Sequence, residues 1–327
     1  MAHEITRRGN GMSEMAFTGP RTAIWHGLGQ QLDDGADLDT WKTQAGMDWE
    51  VLETPANYTV LGDDMTPEQR VIPDRKVLFR SDTKESLALI SDSYKVVQPT
   101  QVIEFFRDLT EVHGFKMSTA GTLFGGRKFW ALAEVGKSDE VIAGDELMGH
   151  LLLTTSCDGS SSTQARFVAT RVVCNNTLTL AVNERSSRPV VRVTHKSDFD
   201  ADAVKIDLGV VDAAWSTFMQ NMKKLASVKM NAEQTRKFYE KQIFDPAVPV
   251  HEQSLTRRRL VDSLIDKAIY GSGSDFSRGT AYGTLCGITE HFTHGSGKRG
   301  GDKQFWSGYV DDGARTALYN DLMRAVA

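Results

Sequence analysis

Cysteine is scarce in this chain of 327 residues: Cys157, Cys174 and Cys286 are all it holds. None belongs to a CxxC pair, which excludes the usual structural-zinc spacing and argues against a disulfide framework. A cytoplasmic setting is therefore expected. No apolar run approaches the roughly 20 residues needed to cross a bilayer, so no membrane partner is expected. The first 20 residues carry two arginines but no apolar core, which excludes a secretory signal and reads as a flexible arm. An excess of basic charge is also missing. The net charge is -5, so the protein as a whole is not a polyanion coat, and any nucleic-acid role needs a local patch. GxSxG, GxxxxGK[ST] and HExxH do not occur.

What is present reads as an α+β protein. An antiparallel sheet built from hairpins packs with helices, and a helical C-terminal region follows. The expected divisions are an arm over 1–20, an α+β core over 21–205 and a helical region over 206–327. Leu38 to Ala45 reads as a short helix stopped by Gly46. MDWEVLETPANYTV reads as a strand broken at Pro55, and the runs around SDTKE read as a hairpin. Tyr94 to Val97 reads as a short strand, and Pro99 opens a helix that Gly114 ends. TAGTLFGGRKFWALAEVG reads as a hairpin turning at Gly125-Gly126, with further strands at 151–155, 167–173 and 190–194. Leu208, Val211, Trp215, Phe218, Met222 and Leu225 step by 3 and 4, an apolar helical seam. Asn231 with Gln234 predicts a capping pair, and further helices are expected near 260–270, 280–292 and 314–326.

Residues 151–178, LLLTTSCDGSSSTQARFVATRVVCNNTL, set a polar loop between two apolar runs. The loop offers three readings. Cys157 or a serine is a nucleophile, which needs a partnering base such as His150 or His195. Asp158, Gly159, Ser160 and Ser161, with Asn175 and Asn176, cradle a phosphate. Or the segment only connects two strands. From Gln164 to Lys196 lie Arg166, Arg171, Arg185, Arg188, Arg192 and Lys196 against the single acid Glu184, a local net charge of +5. On a strand, Arg188, Arg192 and Lys196 share one face by the period of two, which suits a row of phosphates as well as it suits a solvated edge.

Trp25-His26-Gly27-Leu28-Gly29 reads first as a folding anchor and second as a binding turn. Arg257, Arg258 and Arg259 open a helix, where cations oppose the helix dipole. His291 and His294 stand at a helix end without an evident third metal ligand, so no metal site is assigned.

Several blocks in order resemble a phage- and plasmid-borne family described as a domain of unknown function. They are WHGLG, RSDT at 80–83, YKVVQPTQ at 94–101, TAGTLFGGRKFW at 119–130, CDGSSS with RVVCNNTL, and TAYGTLCGITEHFTH. In that family the loop reads His-Asp-Gly-Ser; Cys157 stands here in place of the histidine. The resemblance implies a mobile-element context but no reaction.

The leading expectation is a nucleic-acid-binding protein, with single-strand DNA annealing in recombination as its specific form. Arg127, Lys128, Arg166, Arg171, Arg188, Arg192 and Lys196 track phosphates, and Trp130 or Phe167 stacks bases. Single-stranded DNA is the expected partner, with self-association into a homo-oligomer; no cofactor is required. A second expectation is an interaction protein that counteracts a host defence or host enzyme, using Asp33, Asp34, Asp37, Asp39, Asp63 and Asp64 against a basic host protein. A third is an enzyme acting through the CDGSSS loop.

Overall fold

A computed structural model describes residues 5–19, 28–171, 176–179, 190–196, 198, 200, 211–294 and 313–326. Its main sheet is assembled from β1 (Met15–Phe17), β2 (Gln30–Gln31), β6 (Lys116–Leu123), β7 (Lys128–Ile142), β8 (Asp145–Ser156), β9 (Thr163–Arg171), β10 (Asn176–Thr179) and β11 (Val190–Val193). The order is β10-β9-β8-β7-β6-β1-β2, and β11 pairs with the first half of β9 beyond the reach of β10. Every pairing is antiparallel except β1 with β2. A second sheet holds β3 (Val51–Leu61), β4 (Pro67–Arg80) and β5 (Ser86–Ser91). The expected α+β architecture holds.

Helices are α1 (Leu38–Gln44), α2 (Pro99–Glu104), α3 (Arg107–Glu111), α4 (Val211–Ser227), α5 (Ala232–Ile243), α6 (Leu255–Tyr270), α7 (Ser274–Ser277), α8 (Ala281–His294) and α9 (Gly313–Ala325). Their ends follow local chemistry. Asp37 caps α1 by accepting from the Thr40 N–H at 2.7 Å. Asn231 and Gln234 satisfy each other's backbone N–H groups at 2.9 Å, the reciprocal cap expected at the start of α5.

The main sheet is buried on both faces. Phe129, Ala131, Ala133, Leu151, Leu153, Ala165 and Phe167 belong to a core that extends to Trp215, Phe218, Met222 and Leu225 of α4 and to Leu322 of α9. The small residues matter here: a Cβ on Gly149 would meet the Trp215 ring at 3.2 Å, so glycine admits the α4 indole against β8. On the other face Met15, Leu123, Trp130, Leu132, Leu152 and Val168 form a smaller cluster with Ile5. Of the α4 seam, Leu208 lies outside the described residues and the Val211 side chain is not described.

Four local expectations change. Pro55 does not break its strand, because β3 is an edge strand and absorbs the proline with a register shift between Pro55 and Asn57. Tyr94–Val97 is no strand; the Lys95 N–H bonds the His195 carbonyl at 2.7 Å instead. The helix from Pro99 divides into α2 and α3. The hairpin strand ending at Gly136 continues as β7 to Ile142 and turns at Gly144, φ 80°, into β8.

Candidate nucleic-acid interface

The Cys157–Ser162 loop joins β8 to β9 at one end of the main sheet. The β6–β7 turn lies beside it, because Lys128 pairs with Ser156 in register. The Cys157 N–H donates to the Arg127 carbonyl at 2.9 Å, and its thiol faces the carbonyls of Arg127 and Gly126 at 3.4 and 3.5 Å. A third segment closes the group. Tyr94 donates its hydroxyl to the Ser156 carbonyl at 2.8 Å, and its ring stacks on His195 at 4.4 Å between centroids. The His195 Nδ1 lies 3.0 Å from the Lys95 carbonyl and its Nε2 3.0 Å from the Ser161 carbonyl. Residues 94–95, 124–128, 157–161 and 195–196 are thus tied together by hydrogen bonds and strand register.

The loop spends its own donors. Ser160 N–H bonds Asp158 Oδ1 at 2.9 Å, and Ser161 N–H bonds Ser156 Oγ at 3.1 Å. The expected phosphate cradle of backbone N–H groups over Asp158, Gly159, Ser160 and Ser161 is therefore corrected in its second half: the Ser160 and Ser161 N–H groups are consumed within the loop. Asn176 is at the other end of β9, opposite Arg171, and Asn175 lies outside the described residues.

The cations divide. Arg127 and Lys196 are exposed, and Lys128 is half-buried. Burial holds the Lys128 ammonium below its ordinary pKa, and the carboxylate of Asp158 opposes that shift. Lys95 pairs with Asp198 at 3.6 Å and keeps half of its side chain exposed. Arg192 sits at the register position opposite Gln164, close to the loop; its side chain is not described. Arg171 lies eight residues along β9 from Thr163, a distance of roughly 26 Å at ~3.3 Å per residue. Arg185 and Arg188 lie outside the described residues. Arg166 is 1% exposed and donates to the Gln164 side-chain oxygen inside the protein.

Trp130 and Phe167 are 3% and 5% exposed, which corrects their assignment as base-stacking rings. Trp130 donates its indole N–H to Thr119 Oγ1 at 3.1 Å, and Phe167 faces the helical core. The sequence reading missed Phe124. It is partly exposed at a φ of 56°, followed by Gly125 and Gly126 at 72° and 91°. A positive φ is strained for a bulky side chain. The ring lies 5.7 Å from the Lys128 ammonium. Its signal was the LFGGRK turn itself, which the glycines hid by explaining the turn without it.

The Cys157 form of the nucleophile reading loses its chemistry. Cys157 is 1% exposed, and burial pushes its thiol up to about 12, with Asp158 adding to the shift. His150 is buried on β8, where desolvation lowers it to about 4; its Nδ1 lies 3.1 Å from the Met148 carbonyl. Trp25, His26 and Gly27 lie outside the described residues, while Leu28 packs against the smaller cluster. His291 is buried in α8 and the His294 side chain is not described. Among the described residues no group of three His, Cys, Asp or Glu side chains is arranged to hold a metal ion. The acids of the first 70 residues do not form one patch. Asp34, Asp37 and Asp39 line a cavity of about 640 Å³ with Glu111, Lys116 and Glu134, whereas Asp63 and Asp64 stand at the β3–β4 turn.

A profile for a domain of unknown function, DUF932, matches residues 86–315, a span from β5 to the start of α9 that holds most of this sheet end. No curated protein and no solved structure matches the chain. With that profile covering most of its length, the chain belongs to the DUF932 family.

Proposed function

We propose that the protein binds single-stranded nucleic acid at the loop end of its main sheet. Arg127, Lys128, Lys95 and Lys196 contact phosphates, and Phe124 offers a ring face to a base. The observation that carries this reading is the union of residues 94–95, 124–128, 157–161 and 195–196 into one cation-bearing surface in a chain of net charge -5. Side-chain charge supplies the affinity, since the Ser160 and Ser161 N–H groups are occupied. A partly exposed aromatic beside a lysine suits base stacking, which tolerates any sequence. Strand annealing on a phage- or plasmid-borne element is the finer form of the same proposal.

Fluorescence anisotropy with a labelled oligonucleotide tests it. Four phosphate contacts give a log–log salt slope of about -3 on a single strand, so affinity falls roughly fifty-fold between about 50 and 200 mM salt. Absence of binding at low salt, or binding indifferent to salt, rejects the reading.

A further inference from the structure

The β3–β4 hairpin extends beyond the sheet that holds it. β5 pairs with β4 only between Arg75 and Phe79, whereas β3 and β4 remain paired out to Leu61 and Pro67. From Asn57 to Val71 the two strands pair only with each other among the described residues. Such a ribbon is marginally stable in water. It nonetheless exposes Leu61 at 62%, Met65 at 72%, Val71 at 62% and Tyr58 at 47%. Register places Leu61 and Val71 on one face, among Asn57, Thr59 and Gln69, and Tyr58 on the other, beside Arg70, so large apolar side chains stand exposed on both faces. The turn adds Asp63, Asp64 and Glu68, against Arg70 alone.

A matching surface exists elsewhere on the same chain. Val250, in the short turn before α6, and Leu255, the first residue of α6, are 58% and 53% exposed. Arg258 and Arg259, three and four residues after Leu255 on α6, are exposed, and Arg257 pairs with Asp245 at 3.7 Å. Cations in the first turn of a helix oppose its dipole, so these arginines do not serve α6. One surface is apolar and acidic; the other is apolar and basic.

We propose that the β3–β4 arm of one copy docks on the Val250–Leu255–Arg258 surface of a second copy. Leu61 and Met65 cover the apolar residues, and Asp63 and Asp64 meet Arg258 and Arg259. If two copies exchange arms, the contact is made twice and the assembly closes. This inference is independent of nucleic-acid binding, which uses a different set of residues.

The test is light scattering after gel filtration of the full chain, across a range of micromolar concentrations. The wild type is expected to exceed the monomer mass of 36.2 kDa. Asp63→Lys with Asp64→Lys returns it to the monomer, as does Arg258→Glu with Arg259→Glu. The four changes together in one chain restore association, because the charges are exchanged. All of these side chains are at the surface, and circular dichroism confirms that each variant stays folded. A wild type that is monomeric throughout leaves the arm to a different, basic partner and overturns the proposal. Self-association unchanged by either charge reversal, or not restored by the combination, overturns it equally.

Discussion

Arg80 and Glu14, 66 residues apart, meet as a buried ion pair with two hydrogen bonds of 2.7 and 3.1 Å. They are 3% and 1% exposed. The pair joins β4 of the small sheet to the residue preceding β1 of the large one. Asp82 takes the remaining guanidinium edge at 2.8 and 2.9 Å, Thr122 donates to Glu14, and the Arg80 guanidinium lies 4.1 Å over the Trp49 ring. Burial opposes the charge on Arg80, but its bonds to Asp82 and Glu14 prevail and raise its pKa.

Removing one partner leaves the other charged and buried. Arg80→Met is expected to cost roughly 3–5 kcal/mol in urea unfolding. Arg80→Met with Glu14→Gln should cost less than the sum of the two single changes, since the orphaned charge is gone. Strict additivity would show that the two groups do not act as a pair.

Asp82 makes the same cluster sensitive to acid. Its hydrogen bond to Arg80 is the main cause that holds its carboxyl below the ordinary range. The folded state therefore favours the ionised form. That stability is fully present above the unfolded value of about 3.9 and is lost as pH falls through the lower folded value. Asp82→Asn should flatten the acid limb of the unfolding curve; an unchanged limb would contradict the assignment.

His150 acts over a different window. Burial lowers it from 6.5 to about 4, so the folded protein holds it neutral while the unfolded chain takes up a proton. Its contribution is complete above pH 6.5 and is lost progressively as pH falls to about 4, on the order of 3 kcal/mol in all. Urea unfolding of His150→Phe should lose this slope between those limits. A variant with the wild-type slope would place the titration elsewhere.

Cys157 is expected to resist alkylation in the native protein. Peptide mapping after iodoacetamide should find it unmodified until urea is added. Rapid native labelling would mean an accessible thiolate and reopen the nucleophile reading.

How far the residues announced this arrangement depends on the range of the interactions. The Asn231–Gln234 cap, the α1 stop before Gly46 and the Trp215–Leu225 seam were legible, because each rests on neighbours within a turn or two. The burial of Arg166, Trp130 and Phe167 was not. Alternation separates an inner from an outer face only when one face meets water, and here both faces of the central strands are covered. The run LLLTTSC, buried throughout, was the one local sign of that. The tie that holds the loop was also hidden, since Tyr94, distant along the chain, donates to the Ser156 carbonyl. Arg127, Lys128 and Lys196 were chosen by charge alone, and the fold brings them to the same end of the sheet as Ser161.

Nucleic-acid binding at the loop end is tested most directly by comparing two ends of one strand. Oligonucleotide anisotropy is measured for the wild type, for Arg127→Glu with Lys128→Glu at the loop end, and for Arg171→Glu roughly 26 Å away along β9. The loop-end pair is expected to weaken binding by about a hundred-fold and to reduce the salt slope by roughly 1.4, while Arg171→Glu changes affinity only slightly. Binding that survives the loop-end reversal, or that is lost equally from the far end, would contradict the account.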